Sequence, residues 1–287
     1  MTPETSWIGR SMALTYDSVS EHLLAINLDE TFVFEADLDG RLIRTYGREG
    51  EGPGELKNPL DIVATPRGIF VVDLGNMKLA RFPRAGGKPL ETRLGSYYYD
   101  IVGGAGDLLY AVPGWDGEAV AVFDLTGDRV GGFGARDVLP GSCTDCMVSP
   151  LGSTAVLVVE PDTPELIIIE NDGTLRRRLP LNGVAVLRRW QEEEAAIFDR
   201  RPDLRGGKLW ISDVEVVDET IVLLAMTPPR PFERGRELWK VDLSQDLITR
   251  YKYDQPEAGA VIAVRWPSVF TILVRDGAIR EYRVPEE

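Results

Sequence analysis

Apolar residues in this chain come in short runs of strand length, each closed by Gly, Pro, Asn or Asp. The stretch from Gly47 to Gly95 shows the pattern best. There a Gly/Pro-rich loop, GREGEGPGEL, leads into Leu60–Ala64, Ile69–Asp73, Lys78–Phe82 and Leu90–Leu94. Four such runs with tight turns predict one small antiparallel sheet. A sheet of that size cannot bury both of its faces alone, so it requires sister sheets.

The sisters appear when each second strand is aligned to Ile69–Asp73. An earlier copy has Leu23–Asn27, Phe32–Glu35 and Leu42–Tyr46. Later copies have Leu108–Val112, Ala119–Phe123 and Val130–Phe133, then Ala155–Val159, Glu165–Glu170 and Leu175–Leu179. Next come Ile221–Ala225, Glu237–Val241 and Leu247–Tyr251, and the last copy has Val269–Val274 and Ala278–Val284. The turn between third and fourth strands repeats as well, with Gly40, Gly86, Gly127 and Gly173 where a hairpin needs positive φ and Gln245 in the fifth copy. Six copies of roughly 40 to 50 residues predict one all-β domain over 1–287, a six-bladed β-propeller with four-stranded blades. The last copy lacks a fourth strand, and Ser6–Arg10 precedes the first strand of the first copy, Met12–Asp17. That N-terminal strand is expected to close the last blade and leave no free edge.

One segment breaks the period. The connector at 181–210 is longer than the others, and Val184–Phe198 has good helix formers without Gly or Pro. It predicts a partly helical insertion whose apolar stripe is Ala185, Leu187, Trp190 and Ile197.

The chain resembles a six-bladed propeller of the NHL-repeat type. The residues that carry the resemblance are Gly50–Leu56 (GEGPGEL), Pro59–Val63, Gly68–Asp73 and Leu79–Phe82, with the full motif clear only in the second copy. The resemblance implies a binding face formed by the interblade loops. It implies no single activity, because such folds serve as scaffolds, sensors, lyases and hydrolases. It also implies export, since stand-alone acidic propellers of this kind are often periplasmic or extracellular in bacteria. The N-terminus itself, MTPETSWIGR, has no signal-peptide pattern, which fits a cytoplasmic protein or a mature form behind an added Met.

A net charge of −14 argues against nucleic acid and anionic membranes as partners. No apolar run is long enough for a transmembrane segment. The two cysteines, Cys143 and Cys146, form a single CxxC, which lacks the second pair of a structural zinc site. They read as a local disulfide in an exported protein or as two inert thiols.

Candidate chemistry is positional. Eight residues before each second strand, with an insertion allowed in the fourth copy, stand Thr15, Asp61, Asp100, Asp145, Asp213 and Val261. Four Asp residues at the starts of successive inner strands are expected to rim the channel mouth. Such carboxylates raise one another's pKa unless water or a cation relieves them, and oxygen ligands suit calcium or magnesium. The competing reading is architectural: an Asp at a strand start accepts backbone N–H bonds. Metal-dependent lactonase-like propellers match the blade number, but they hold their ion with Glu, Asp and Asn, and these aligned positions carry no Asn. On the same face, Trp115, Arg230, Phe232 and Arg234 from second-to-third-strand loops, with Arg188 and Trp190 from the insertion, are candidates to ring a ligand pocket. The alternative places the two Trp residues under their own loops.

His22 is the only histidine, next to an apolar strand, and reads as structural. No G-x-S-x-G elbow or phosphate loop is present. The shortage of acid, base and nucleophile residues favours a non-catalytic propeller that binds a small molecule or a protein. The alternative is a divalent-cation-dependent hydrolase of a lactone or ester, with no catalytic residue assigned.

Overall fold

The computed structural model describes residues 11–27, 31–104, 107–114, 117–135, 139, 146–160, 165–181, 184–200, 211–226, 237–254, 261–272 and 278–285. The fold is an all-β propeller of six blades. Blade 1 is β1 (Ser11–Asp17), β2 (His22–Asn27), β3 (Phe32–Ala36) and β4 (Leu42–Tyr46). Blade 2 is β5 (Pro59–Thr65), β6 (Gly68–Asp73), β7 (Lys78–Pro83) and β8 (Leu90–Arg93), and blade 3 is β9 (Tyr98–Gly103), β10 (Leu108–Pro113), β11 (Glu118–Asp124) and β12 (Arg129–Ala135). Blade 4 is β13 (Met147–Leu151), β14 (Ala155–Glu160), β15 (Glu165–Glu170) and β16 (Leu175–Pro180). Blade 5 is β17 (Ile211–Val216), β18 (Ile221–Met226), β19 (Glu237–Asp242) and β20 (Leu247–Lys252). Blade 6 contributes β21 (Ile262–Arg265), β22 (Ser268–Ile272) and β23 (Ile279–Arg283), and every sheet runs in simple antiparallel order. The expected closing strand, Ser6–Arg10, lies outside the described residues.

The apolar pattern explains the ring. In β2, Leu24 and Ile26 pack with blade 2, whereas Leu23 and Ala25 pack with blade 6. Successive residues of a strand face opposite sides, so a strand sandwiched between two blades is apolar at nearly every position. That is why β6 and β14 are buried throughout while β4 and β8 are largely exposed. The core is six interblade clusters, one per seam, and the cluster of Leu14, Leu23 and Phe34 with Val261, Phe270 and Ile272 joins the last blade to the first. The first strands β1, β5, β9, β13, β17 and β21 contact one another in a closed circle and line the channel.

Gly40, Gly86, Gly127 and Gly173 all have positive φ, as the turn repeat predicts. In the fifth copy the left-handed residue is Asp246 (φ 55), one position beyond Gln245.

The insertion contains one helix, α1 (Ala185–Arg200). Among its described side chains Val186, Leu187 and Trp190 are buried, Ile197 of the expected stripe lies outside them, and Trp190 packs on Trp239 of β19 with ring centroids 6.1 Å apart. The expected stripe is therefore shifted at its start: Ala185 is exposed and Val186 takes its place. The helix adds its apolar face to the cluster between blades 4 and 5.

Candidate functional site

The inner strand of each blade is an edge strand, because nothing pairs with it on the channel side. Its channel-side N–H groups need partners. Three of the Asp residues supply them across the seams. Asp61 of β5 accepts the Ile101 N–H of β9 at 2.6 Å. Asp100 of β9 accepts the Val148 N–H of β13. Asp213 of β17 accepts the Ile262 N–H of β21 at 2.7 Å and its own neighbour, the Val214 N–H, at 2.8 Å. Each carboxylate thus reaches from one blade to the residue just after the equivalent position in the next.

Register identifies the other ring positions. Asp61 faces Val72 and Asp213 faces Ala225 across their hairpins. The matching residue in blade 4 is Met147, opposite Val159. In blade 1 the β1–β2 turn is two residues longer than the β5–β6 turn, since Asp17 pairs with His22 and Thr65 with Gly68. The ring position there is Ala13, and Thr15 sits two residues further along the strand. Val261 precedes Ile262 and completes the ring. Asp145 lies outside the described residues.

Asp61, Asp100 and Asp213 are each half-buried. Burial pushes Asp61 well above the usual carboxylate range, reinforced by the charge of Asp100, to which Asp61 donates a hydrogen bond. Burial also raises Asp100, partly offset by the bonds from Asp61 and from the Val148 and Ile101 amides. Asp213 is pushed up to about 8 by burial, with Asp100 adding repulsion.

A fourth acid joins them. Glu215, two residues along β17 from Asp213 and on the same face, is raised well above its ordinary value by burial and then by Asp213 and Asp100. It does not follow from the repeat, because the equivalent positions hold Thr15, Val63, Val102, Ser149 and Ala263. Only the period-2 spacing from Asp213 signals it. None of these four carboxylates ion-pairs with Lys or Arg among the described residues. Nor do any three His, Cys, Asp or Glu side chains among those residues stand close enough to hold a metal ion together.

The expected aromatic and guanidinium ring is only partly placed. Trp115, Arg230, Phe232 and Arg234 lie outside the described residues. Arg188 is exposed on α1. Trp190 is 3% exposed and belongs to the core between blades 4 and 5, so its ring is committed to packing rather than to a ligand. His22 is structural too. Its Nδ1 lies 2.6 Å from Glu35 Oε1, and the same buried carboxylate accepts Arg44 Nε and the Tyr46 hydroxyl, each at 2.5 Å. Cys146 is disulfide-bonded, and Cys143 is the one other cysteine of the sequence.

The Gly-rich loop of blade 2 is an interblade turn of defined build. The Asp73 carboxylate, fully buried, accepts the Asn58 N–H at 2.9 Å and Asn76 Nδ2 at 2.8 Å. Asn76 Nδ2 also donates to Gly50 O at 2.9 Å, tying the loop down.

No protein-family model and no curated protein matches this chain. Solved structures do. A streptogramin B lyase structure is similar with TM-score 0.60 and 15% identity, over 96% of this chain and 84% of that one. A catalytically inactive virginiamycin B lyase from Staphylococcus aureus with quinupristin gives TM-score 0.60 and 14% identity, over 99% and 86%. The Neurospora crassa Pan2 WD40 domain gives 0.55 and 11%, over 97% and 80%. At these identities the likeness establishes the propeller fold alone.

Proposed function

We propose that this protein is a non-catalytic binding propeller. Its site is the channel mouth on the face of the interblade loops, and its ligand is a small molecule or a protein group that presents a positive charge. The observation that carries this reading is the gathering of Asp61, Asp100, Asp213 and Glu215 at the channel without a basic partner among the described residues. Burial and mutual repulsion favour the protonated carboxyls there. A ligand ammonium or guanidinium would release the protons and gain charge-assisted hydrogen bonds. The absence of an uncommitted histidine supports binding over chemistry, since the single His22 is occupied by Glu35. A similar propeller, virginiamycin B lyase, has been crystallised with quinupristin, which fits a ligand-binding role for this architecture.

Calorimetry with a tetralysine peptide and with spermidine tests the reading. The wild type binds, with proton release that grows as pH falls from 8 to 6, and an Asp61→Asn/Asp213→Asn double variant loses the binding. A panel of lactones and esters with calcium, magnesium, manganese or zinc is the counter-test. Turnover abolished by EDTA and by Asp100→Ala would replace binding by metal-dependent hydrolysis.

A further inference from the structure

A second polar site lies further out on the loop-bearing face of blade 2. Glu51, Gly75, Asn76, Met77, Lys78, Glu91 and Arg93 line a groove of about 580 Å³, within the size range of small-molecule sites. Its floor is preformed. Lys78, 6% exposed, donates from Nζ to Glu91 Oε1 at 2.7 Å and to Gly52 O at 3.3 Å. Glu91 Oε1 also accepts the Gly54 N–H at 2.8 Å.

The charge pattern is unusual for a sheet. Lys78 and Arg93 are directly opposite each other on β7 and β8 and so project from the same face. Like charges in that relationship repel. Glu91 engages Lys78, and Arg93 has no ion-pair partner among the described residues. An acidic chain thus keeps an unneutralised guanidinium at the wall of its own groove. Around that one guanidinium stand acceptors: the second oxygen of Glu91, the remaining oxygen of the rim carboxylate of Glu51, whose Oε1 accepts Lys57 Nζ at 2.5 Å, and the Asn76 carbonyl, whose amide protons are spent on Gly50 and Asp73.

We infer that this groove binds a small, hydroxyl-rich monocarboxylate of the uronic-acid class. The planar carboxylate takes the Arg93 fork, and the ligand's hydroxyls donate to Glu91, Glu51 and Asn76. A phosphate dianion carries too much charge and too few donors for this lining, and a neutral sugar leaves Arg93 unmatched. The inference goes beyond the channel-mouth reading and does not depend on it.

The test is a titration of the full chain with galacturonate and glucuronate, followed by amide NMR shifts, with galactose and inorganic phosphate in parallel. The expected result is saturable shifts at Gly54, Gly75 and Asn76 with a uronate. Affinity for galactose should be at least ~10-fold weaker, and phosphate should give no saturation. Arg93→Gln, a surface change that preserves the fold, should erase the preference for uronate over galactose, and Asp61→Asn should leave it intact. Absence of groove shifts with either uronate, an undiminished preference in Arg93→Gln, or tighter binding of phosphate would each overturn the assignment.

Discussion

The Asp61 carboxylate accepts the Ile101 amide at 2.6 Å across the seam between blades 2 and 3. An acidic side chain thus satisfies an edge-strand donor of its neighbour, and the same device recurs from Asp100 to Val148 and from Asp213 to Ile262. Asp61→Ala should leave the Ile101 N–H without its partner and lower stability by about 1–2 kcal/mol. Asp61→Asn keeps an acceptor oxygen and should cost less than half as much. Urea unfolding of the two variants at pH 6 separates them, and equal losses would show that the cross-seam bond is not what matters.

Asp213 sets an alkaline limit. Its folded pKa, up to about 8, lies above that of an unfolded Asp near ~3.9. Between those values the native state binds the additional proton, so stability is full at the acid end and declines as pH rises toward about 8. Asp213→Asn carries no charge at any pH and should be more stable than wild type by about 1–3 kcal/mol at pH 9, a figure discounted because the residue is only half-buried. Near pH 4 the two should melt together. Parallel melting curves at both pH values would show that the buried proton is not there.

The acid limit has the opposite sign. Burial alone would raise Asp17, but two bonds from Arg84, at 2.5 and 2.6 Å, outweigh it and hold the carboxyl below its usual range. Arg44, His22 and Tyr46 do the same for Glu35, and Arg250 and Trp239 for Glu237. Stability from these groups is present above pH ~4 and is lost as pH falls through their depressed values. Arg84→Met strands the 1%-exposed Asp17 and should cost about 3–5 kcal/mol at pH 7. The loss should shrink as pH falls through the depressed value of Asp17 and the carboxyl becomes neutral.

Trp190 anchors the insertion. Trp190→Ala should destabilise the protein by about 3–5 kcal/mol and detach α1 from blades 4 and 5. Arg188→Ala, on the exposed side of the same helix, should change stability by less than ~0.5 kcal/mol. Hydrogen exchange over 184–200 reads the detachment directly, and unchanged protection in Trp190→Ala would refute it.

Gly54 meets a backbone requirement. Its φ is +75°, and a Cβ there would stand 2.7 Å from Pro89 Cγ. Gly54→Ala should cost about 1–3 kcal/mol through strain and overlap together. It should also weaken the 2.8 Å bond to Glu91, so amide shifts at the groove should report it.

Blade number, strand order and the left-handed turn glycines are legible in the sequence because they follow from period and turn chemistry, which are local. What faces what across a seam is not local. A turn two residues longer between Asp17 and His22 moves the ring position of blade 1 from Thr15 to Ala13, and no composition signal marks such a shift. Glu215 is invisible to repeat alignment because no other blade has an acid there. Trp190 illustrates a different limit. Helical spacing places it on an apolar stripe, but only the packed partner, Trp239, decides whether that stripe meets solvent or core. The Lys78–Arg93 opposition likewise emerges only from register.

The carboxylate bridges are unevenly distributed around the channel. They join blades 2 to 3, 3 to 4 and 5 to 6, while Ala13, Met147 and Val261 stand at the ring positions of the other inner seams, which show no such bridge among the described residues. The bridges therefore tie blades 2, 3 and 4 into one group and blades 5 and 6 into another, and blade 1 belongs to neither. Asp61 and Asp100 belong to the first group, Asp213 and Glu215 to the second. The repulsion that Asp100 exerts on Asp213 and Glu215 therefore acts between the two groups rather than within either.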